Sequence, residues 1–399
     1  MIIALITGAC LWYFKFGGKS IIDGWINSAT VDDGGGESTG NGENNGGENN
    51  GGGESTGNGE VNNAGAYLPA AIENGDLSIH FLELGNKNTG DSVYIKNGDT
   101  DILIDAGSKN NSGPVISDYI DDFVTDNKLE FVIATHAHED HIAGFYSSSS
   151  NTGVFARFET GIIIDFPLTE STTGTYTNYV KARDAEVTAG AKHYTALECY
   201  NESKTGAKRV YDLGGGTELE ILYSYYYEHD ASTENNYSVA VMINQGDKHY
   251  IFTGDMEKDA EDKMVEYYDN YRDGLPKCVL YKGGHHGSQT SSNVKLLEAI
   301  QPEYVAICTC VGSSEYKAKP DNVFPSKDFI DRISKYTDRV YATTIVTNYA
   351  AGEFEPLNGT IVILTRANEI YVRCTNNNKK LKETDWFRDN REMPAAWAA

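Results

Sequence analysis

Four residues able to ligate a metal, His136, His138, Asp140 and His141, fall within the run Thr135-His136-Ala137-His138-Glu139-Asp140-His141. The run directly follows Phe131-Val132-Ile133-Ala134, an apolar stretch that reads as a strand. In an extended or turning backbone alternate side chains share a face, so His136 and His138 can hold one cation while Asp140 and His141 turn to a second. Imidazole and carboxylate are the ligands zinc takes where one coordination position stays open for water. Three of the chain's nine histidines lie in this run, which a merely solvated loop does not explain.

Three further segments carry related chemistry. Asp101-Ile102-Leu103-Ile104-Asp105-Ala106-Gly107 is an apolar strand ending in Asp-x-Gly, and Tyr250-Ile251-Phe252-Thr253-Gly254-Asp255 is one ending in Thr-Gly-Asp. Gly283-Gly284-His285-His286-Gly287-Ser288 sets two adjacent histidines between glycines. Singly, each is an ordinary strand-to-turn signal. Their order and spacing around the histidine run is what chance does not supply.

Taken together the four segments resemble the metallo-β-lactamase superfamily, over about residues 77 to 374. The resemblance implies an α/β (α+β) fold, a four-layered αββα sandwich, with two zinc ions per chain or manganese in their place. The implied metal ligands are His136, His138, Asp140, His141, Asp255 and one of the adjacent histidines, with His286 taken as the ligand. Asp105 would brace the histidine loop from behind. Two ions bridged by Asp255 would hold a hydroxide at neutral pH and steady an in-line displacement. The catalytic residues on this reading are Asp140, serving metal and hydroxide together, and His285, donating to a substrate oxygen or to the leaving group.

The flanks narrow the branch. Leu77-Ser78-Ile79-His80-Phe81-Leu82-Glu83-Leu84-Gly85, Glu234-Asn235-Asn236-Tyr237-Ser238-Val239, and G-H-H-G-S followed by Thr290-Ser291-Ser292 resemble the ComEC-like branch. This is the branch of the DNA-uptake protein's hydrolase domain, and surface phosphorylcholine esterases are similar in their active-site motifs. The third-motif histidine of true β-lactamases is not visible before Asp255. His229, after Tyr225-Tyr226-Tyr227, and the Asn235/Asn236 pair compete for that corner, and Ser288 is a further candidate contact. Two departures bear on substrate choice rather than on the metal core. Gly85-Asn86-Lys87-Asn88-Thr89-Gly90-Asp91-Ser92 is longer than the branch's G-Q-G-D-like turn, and Lys319-Pro320 stands where His-Pro is frequent.

Positioning these residues requires strands that end at one edge. Apolar strands are expected at 77 to 84, 92 to 96, 101 to 105, 131 to 135, 161 to 165, 219 to 225, 238 to 244, 249 to 253, 278 to 282 and 304 to 309. Helices are expected at 115 to 123, 177 to 188, 258 to 271, 293 to 300 and 326 to 336. Strands at 339 to 347, 359 to 365 and 369 to 374 are expected to complete the second sheet. The hydrolase domain is placed at 65 to 375, followed by a C-terminal tail at 376 to 399 with a loose end.

Ahead of the domain the chain changes character. Residues 1 to 22 form an apolar secretion or anchor segment, and 23 to 64 a Gly/Asn/Glu-rich spacer in which GGGESTGNGE at 34 to 43 recurs at 51 to 60. An anchor and a long leash imply a membrane-anchored or secreted protein on the extracellular face of a bacterial cell. The formal charge is −25, of which residues 1 to 64, with eight acidic residues and two lysines, account for −6, leaving −19. Such a field repels nucleic acid in the absence of a local basic patch. The six cysteines show no disulfide pattern and no thiolate zinc site.

These observations point to a surface-tethered, zinc-dependent hydrolase of phosphoester or phosphodiester bonds, acting on a small anionic substrate. A nuclease cutting single-stranded DNA is the second reading. It needs a basic track, for which Lys282, Lys317 and Lys319 are the nearby lysines. A β-lactamase comes third, and a catalytically silent, metal-binding adhesin is the non-enzymatic alternative. Tyr223 and Tyr225 to Tyr227 either line a choline-like cation site or form an ordinary strand edge.

Overall fold

The computed structural model describes residues 76–314, 323–348 and 350–398. The segments 1 to 22 and 23 to 64 lie outside the described residues. Strands β1 (Leu77–Phe81), β2 (Val93–Asn97), β3 (Thr100–Ile104), β4 (Lys128–Ile133), β5 (Glu159–Asp165) and β6 (Lys192–Thr195) follow one another across a first sheet. A second sheet is built in chain order from β7 (Val210–Gly214), β8 (Thr217–Ile221), β9 (Val241–Gln245), β10 (Lys248–Phe252), β11 (Leu280–Lys282), β12 (Tyr304–Val311), β13 (Val340–Asn348) and β14 (Glu353–Pro356). The chain then returns: β15 (Ile361–Arg366) pairs antiparallel with β1, and β16 (Glu369–Cys374) with β15.

That return corrects one expectation. Of the three C-terminal strands, only 340–348 joins the second sheet, while 361–374 completes the first. The reason lies in β1, which is buried along its whole length and pairs with β2 on one side only. Its other edge needs backbone partners, and β15 supplies them in the register Leu77 to Thr365 through Phe81 to Ile361.

The second sheet shows why two faces are covered. Tyr250, Phe252, Leu280, Ala306 and Cys308 enter a core shared with the first sheet, while Ile251, Tyr281, Val305 and Ile307 enter a second core. This period of two is that of a strand buried on both sides. Helices Lys258–Tyr271, Val294–Ile300 and Lys327–Ile333 close the second core with Met264, Leu297 and Phe329. Helices Ser112–Ile120 and Gly174–Ala189 bring Ile116 and Tyr179 to the first. Phe81 and Phe252 stack between the sheets at 6.3 Å. The result is a four-layered αββα sandwich.

Two local expectations also change. The strand expected at 219 to 225 ends at Ile221, because Tyr225–Tyr227 form a 3-10 turn in which Tyr226 and Tyr227 are buried. The end expected to be loose, 393 to 399, is packed at Trp397, which joins Leu381 and Phe387 of the preceding tail in the second core and donates through Nε1 to the Thr337 carbonyl at 2.8 Å. No helix among the described residues is long and apolar enough to cross a membrane.

Candidate metal centre

Parallel pairs put the chemistry on one edge. β3 runs parallel to β4, and β10 to β11, so Asp105, the histidine run, Asp255 and the Gly-His-His-Gly turn all leave carboxyl ends of strands. The loops are then laced together by backbone hydrogen bonds: Asp91 N to Asp140 O at 3.0 Å, Gly107 N to Asp91 O at 2.9 Å, and Ala106 N to His141 O at 2.7 Å. Only glycine fits at 107, where a Cβ would sit 1.5 Å from the Asp140 carbonyl oxygen.

Inside this lacing, Asp105 receives Thr135 N and Thr135 Oγ1 at 2.7 Å each, and its Oδ2 lies 2.8 Å from His141 Nδ1. A carboxylate there can only accept, so Nδ1 carries a proton and His141 Nε2 faces Asp255 Oδ2 at 3.0 Å. The Gly-His-His-Gly turn repeats the device. His286 Nδ1 lies 3.0 Å from Asp91 Oδ1 and 3.1 Å from the Cys308 carbonyl, two acceptors. Its Nε2 is turned to Asp255 Oδ2 at 3.2 Å and Asp140 Oδ2 at 3.4 Å, and is buried without a hydrogen-bond partner.

Of the two adjacent histidines, His286 is therefore the one among the carboxylates. His285 Nδ1 lies 2.9 Å from Thr290 Oγ1, and its Nε2 stands 3.8 Å from Asp255 Oδ2. Asp105, His285 and His286 all have φ between 45° and 60°, a left-handed conformation that costs a non-glycine residue about 1 kcal/mol or more. His285 and His286 face Asp255, and Asp105 holds His141 against it.

The remaining two histidines make a looser pair. His136 Nε2 and His138 Nδ1 are 3.0 Å apart, while His136 Nδ1 has Thr135 Oγ1 at 3.1 Å and Ser238 Oγ at 3.4 Å. His136 is fully buried and His138 only partly. Burial and the neighbouring His141 hold the His136 imidazole well below its usual range, so it is neutral and able to donate a lone pair. Burial opposes charge at His141 too, but Asp255 and Asp105 pull its pKa well above the ordinary value. Asp255 is the converse: burial would raise it, yet His141, His286 and Lys282 hold the carboxyl far below.

Two imidazole nitrogens and two carboxylate oxygens thus converge on a small volume. Oxygen and nitrogen atoms of Asp91, His141, Asp255 and His286 lie within 4.8 Å of one another. The orphaned Nε2 of His286 and the facing Nε2 and Oδ2 of His141 and Asp255 are placed to share a cation. These imidazole and carboxylate donors, all four buried, fit a hard or borderline divalent metal. Asp91 is the residue that sequence reasoning missed. Its signal was an acidic side chain directly before the buried strand β2, within the turn read only as longer than usual.

Other candidates fall elsewhere. His229 is exposed and packs on Tyr225 at 3.9 Å between ring centroids, away from the cluster. Asn235 is buried and donates to Glu257 Oε1 at 3.0 Å, and Asn236 Oδ1 accepts from Glu257 N. The third-motif corner carries the Ser238 hydroxyl, which accepts from Asp255 N at 3.0 Å. Ser288 bonds Thr290, and so supports the turn that holds His285. Lys282 is no part of a basic track: it is 2 % exposed and ion-paired with Asp91 and Asp255. Lys317 and Lys319 lie outside the described residues. The tyrosines are no open cation wall either, since Lys263 Nζ already sits over Tyr225 and Tyr226 at 4.6 and 4.9 Å.

Beside the cluster opens a cavity of about 410 Å³, lined in part by Asp140, His286, Lys87, Thr89, Ser313 and Phe324. The site is a buried imidazole–carboxylate cluster at the strand ends of an αββα sandwich, able to hold a divalent metal and open to a cavity. Residues 85–154 match the model of the metallo-beta-lactamase superfamily. ComE operon protein 3 of Bacillus subtilis (strain 168) is 26% identical over 114 residues, which are 29% of this chain and 13% of that protein. Among solved structures, the metallo-beta-lactamase fold protein YhfI from Bacillus subtilis aligns with 11% identity and a TM-score of 0.37, covering 70% of this chain and 99% of that one. A putative metal-dependent hydrolase from Parabacteroides distasonis aligns with 14% identity and a TM-score of 0.31, over 58% of this chain and 80% of that one. Over residues 85–154 the chain is thus similar to the metallo-beta-lactamase superfamily, and in a 114-residue stretch to a small part of ComE operon protein 3.

Proposed function

We propose that this protein is a zinc-dependent hydrolase of small phosphoesters or phosphodiesters, tethered at the outer face of a bacterial cell. The observation that carries the reading is the cavity, where metal-ligand side chains share a wall with a lysine and hydroxyl groups. His141, His286, Asp140 and Asp255 would hold one ion, and His136 and His138, with Asp255 or Asp140, a second. Bound there, divalent ions supply Lewis acidity and lower the pKa of coordinated water to about 7.

The chain's own residues do the rest. Lys87, Thr89 and Ser313 offer a cation and hydroxyls to phosphoryl oxygens, and Phe324 an apolar face to an ester group. His285, held through Nδ1 by Thr290, presents its Nε2 edge beside Asp255 for proton donation to a departing oxygen. The apolar segment, the repeated spacer and the charge of −19 on residues 65 to 399 support the extracellular address and membrane attachment.

The similarity to ComE operon protein 3 favours a nuclease on single-stranded DNA as the second reading. Burial of Lys282 removes one of the three lysines that reading relied on. A panel of bis-nitrophenyl phosphate, phosphorylcholine esters, single-stranded DNA and nitrocefin, with zinc- or manganese-loaded protein and His136→Ala as control, separates these outcomes. Turnover of the small phosphoesters is expected; exclusive turnover of DNA or of nitrocefin would replace the proposal.

A further inference from the structure

Lys282 ends β11, a strand of three buried residues, and a lysine so placed must have its charge compensated. Its Nζ donates to the Gly254 carbonyl at 2.9 Å, approaches Asp255 Oδ1 at 3.3 Å, and is ion-paired with Asp91 Oδ2. The histidines, by contrast, meet Asp255 through Oδ2 alone, His141 Nε2 at 3.0 Å and His286 Nε2 at 3.2 Å. The two oxygens of Asp255 are thereby divided, one for the lysine and one for the imidazoles.

Asp91 is close enough to be counted with the metal ligands. Both its oxygens are nonetheless committed, Oδ1 to His286 Nδ1 at 3.0 Å and Oδ2 to Lys282. We propose that Asp91 and Lys282 are a positioning pair: Asp91 orients His286 from behind, and Lys282 ties down Asp255 Oδ1 so that only Oδ2 is offered to a cation. Asp91 then stands to His286 as Asp105 stands to His141, with the difference that its second oxygen is neutralised by an ammonium. Four carboxylates, Asp91, Asp105, Asp140 and Asp255, crowd this edge, and Lys282 is the cation that lets two of them remain buried together.

The inference rests on the metal-centre assignment and not on the choice of substrate, so its test reads metal binding rather than turnover. Zinc affinity of the full chain would be measured by competition with a chromophoric chelator, and cobalt loading followed by its visible spectrum, for Asp91→Asn, Lys282→Met and the double variant. Each single change is expected to weaken one of the bound ions by roughly 10–100-fold and to shift the cobalt bands, with the total number of ions unchanged. The double variant removes both charges at once and is expected to fold and to bind no worse than the poorer single variant. Loss of a whole ion in Asp91→Asn with Lys282→Met unaffected would make Asp91 a ligand and overturn the pair. Additive losses, a double variant that does not fold, or unchanged affinity in both singles would overturn it too. A wild-type chain that binds neither metal would remove the metal-centre assignment on which it stands.

Discussion

The two halves of the metal centre are built on different supports. His141 and His286 each have a buried carboxylate behind Nδ1, Asp105 at 2.8 Å and Asp91 at 3.0 Å. His136 has only hydroxyls there, Thr135 at 3.1 Å and Ser238 at 3.4 Å, and His138 is partly open to solvent. A carboxylate partner raises the basicity of an imidazole and fixes its tautomer, whereas a neutral hydroxyl does so weakly. On the proposed two-ion reading, the comparison makes the half around Asp255, His141 and His286 the tight site, and the half around His136 and His138 the exchangeable one.

The sharpest way to break that contrast is at the residue the halves share. Asp255→Ala is expected to abolish tight zinc binding and to lower kcat/KM on a phosphodiester by about 10³-fold or more, several kcal/mol of charge stabilisation being lost. Retained tight binding, measured by chelator competition, would contradict it. His136→Ala should be milder in binding: metal content falls by one ion while the affinity of the remaining ion stays near that of the wild type. Should the tight ion be the one lost, the assignment of the halves is reversed.

The supports themselves separate next. Asp105→Asn is expected to weaken the tight ion by roughly 10–100-fold, while Ser238→Ala, which loses a neutral hydrogen bond to His136 and one from the Asp255 backbone N–H, should cost the ion at His136 no more than about fivefold. Equal effects would remove the distinction between carboxylate and hydroxyl supports. At the cavity, Lys87→Ala should raise KM for an anionic phosphodiester roughly tenfold with little change in kcat, as steady-state kinetics would show.

The smallest effect is a stability one, outside both halves. Glu261 is fully buried beneath the loop that follows the Gly-His-His-Gly turn, accepting from Ser292 N and Asn293 N at 2.7 and 2.8 Å. Burial pushes its carboxyl up to about 7 from 4.5, against those backbone hydrogen bonds. A folded-state pKa above the unfolded one gives a stabilising contribution that is complete below about 4.5 and is lost as pH rises through about 7. Urea unfolding in chelator should therefore show the wild type losing about 1–3 kcal/mol relative to Glu261→Gln between pH 5 and pH 8. Parallel pH profiles for the two proteins would count against it.

Much of the centre was legible in the sequence because its parts end apolar strands. His136, His138, Asp140, His141, Asp105, Asp255 and the His285/His286 turn each follow a run of buried residues, and the structure brings all of them to one edge. Asp91 and Lys282 were not legible for opposite reasons. Asp91 precedes β2 inside a loop without periodicity, and its role depends on backbone bonds to residues 107 and 140 that no local pattern encodes. Lys282 was visible but counted toward a basic track for the nuclease reading, although its neighbours in a short apolar strand already implied burial. The return of β15 and β16 to the first sheet was hidden likewise, since the choice of edge is set by β1, some 280 residues earlier in the chain. His229 was overvalued: proximity in sequence to the Asn-Asn-Tyr-Ser segment did not carry it into the cluster.

The most direct measurement is a zinc titration of metal-stripped full-length protein by calorimetry, with metal content checked independently. Two ions per chain are expected, one bound distinctly more tightly, with the tight step lost in Asp255→Ala and the weak step lost in His136→Ala. A single class of weak sites, or binding that survives both substitutions, would contradict the metal centre described here.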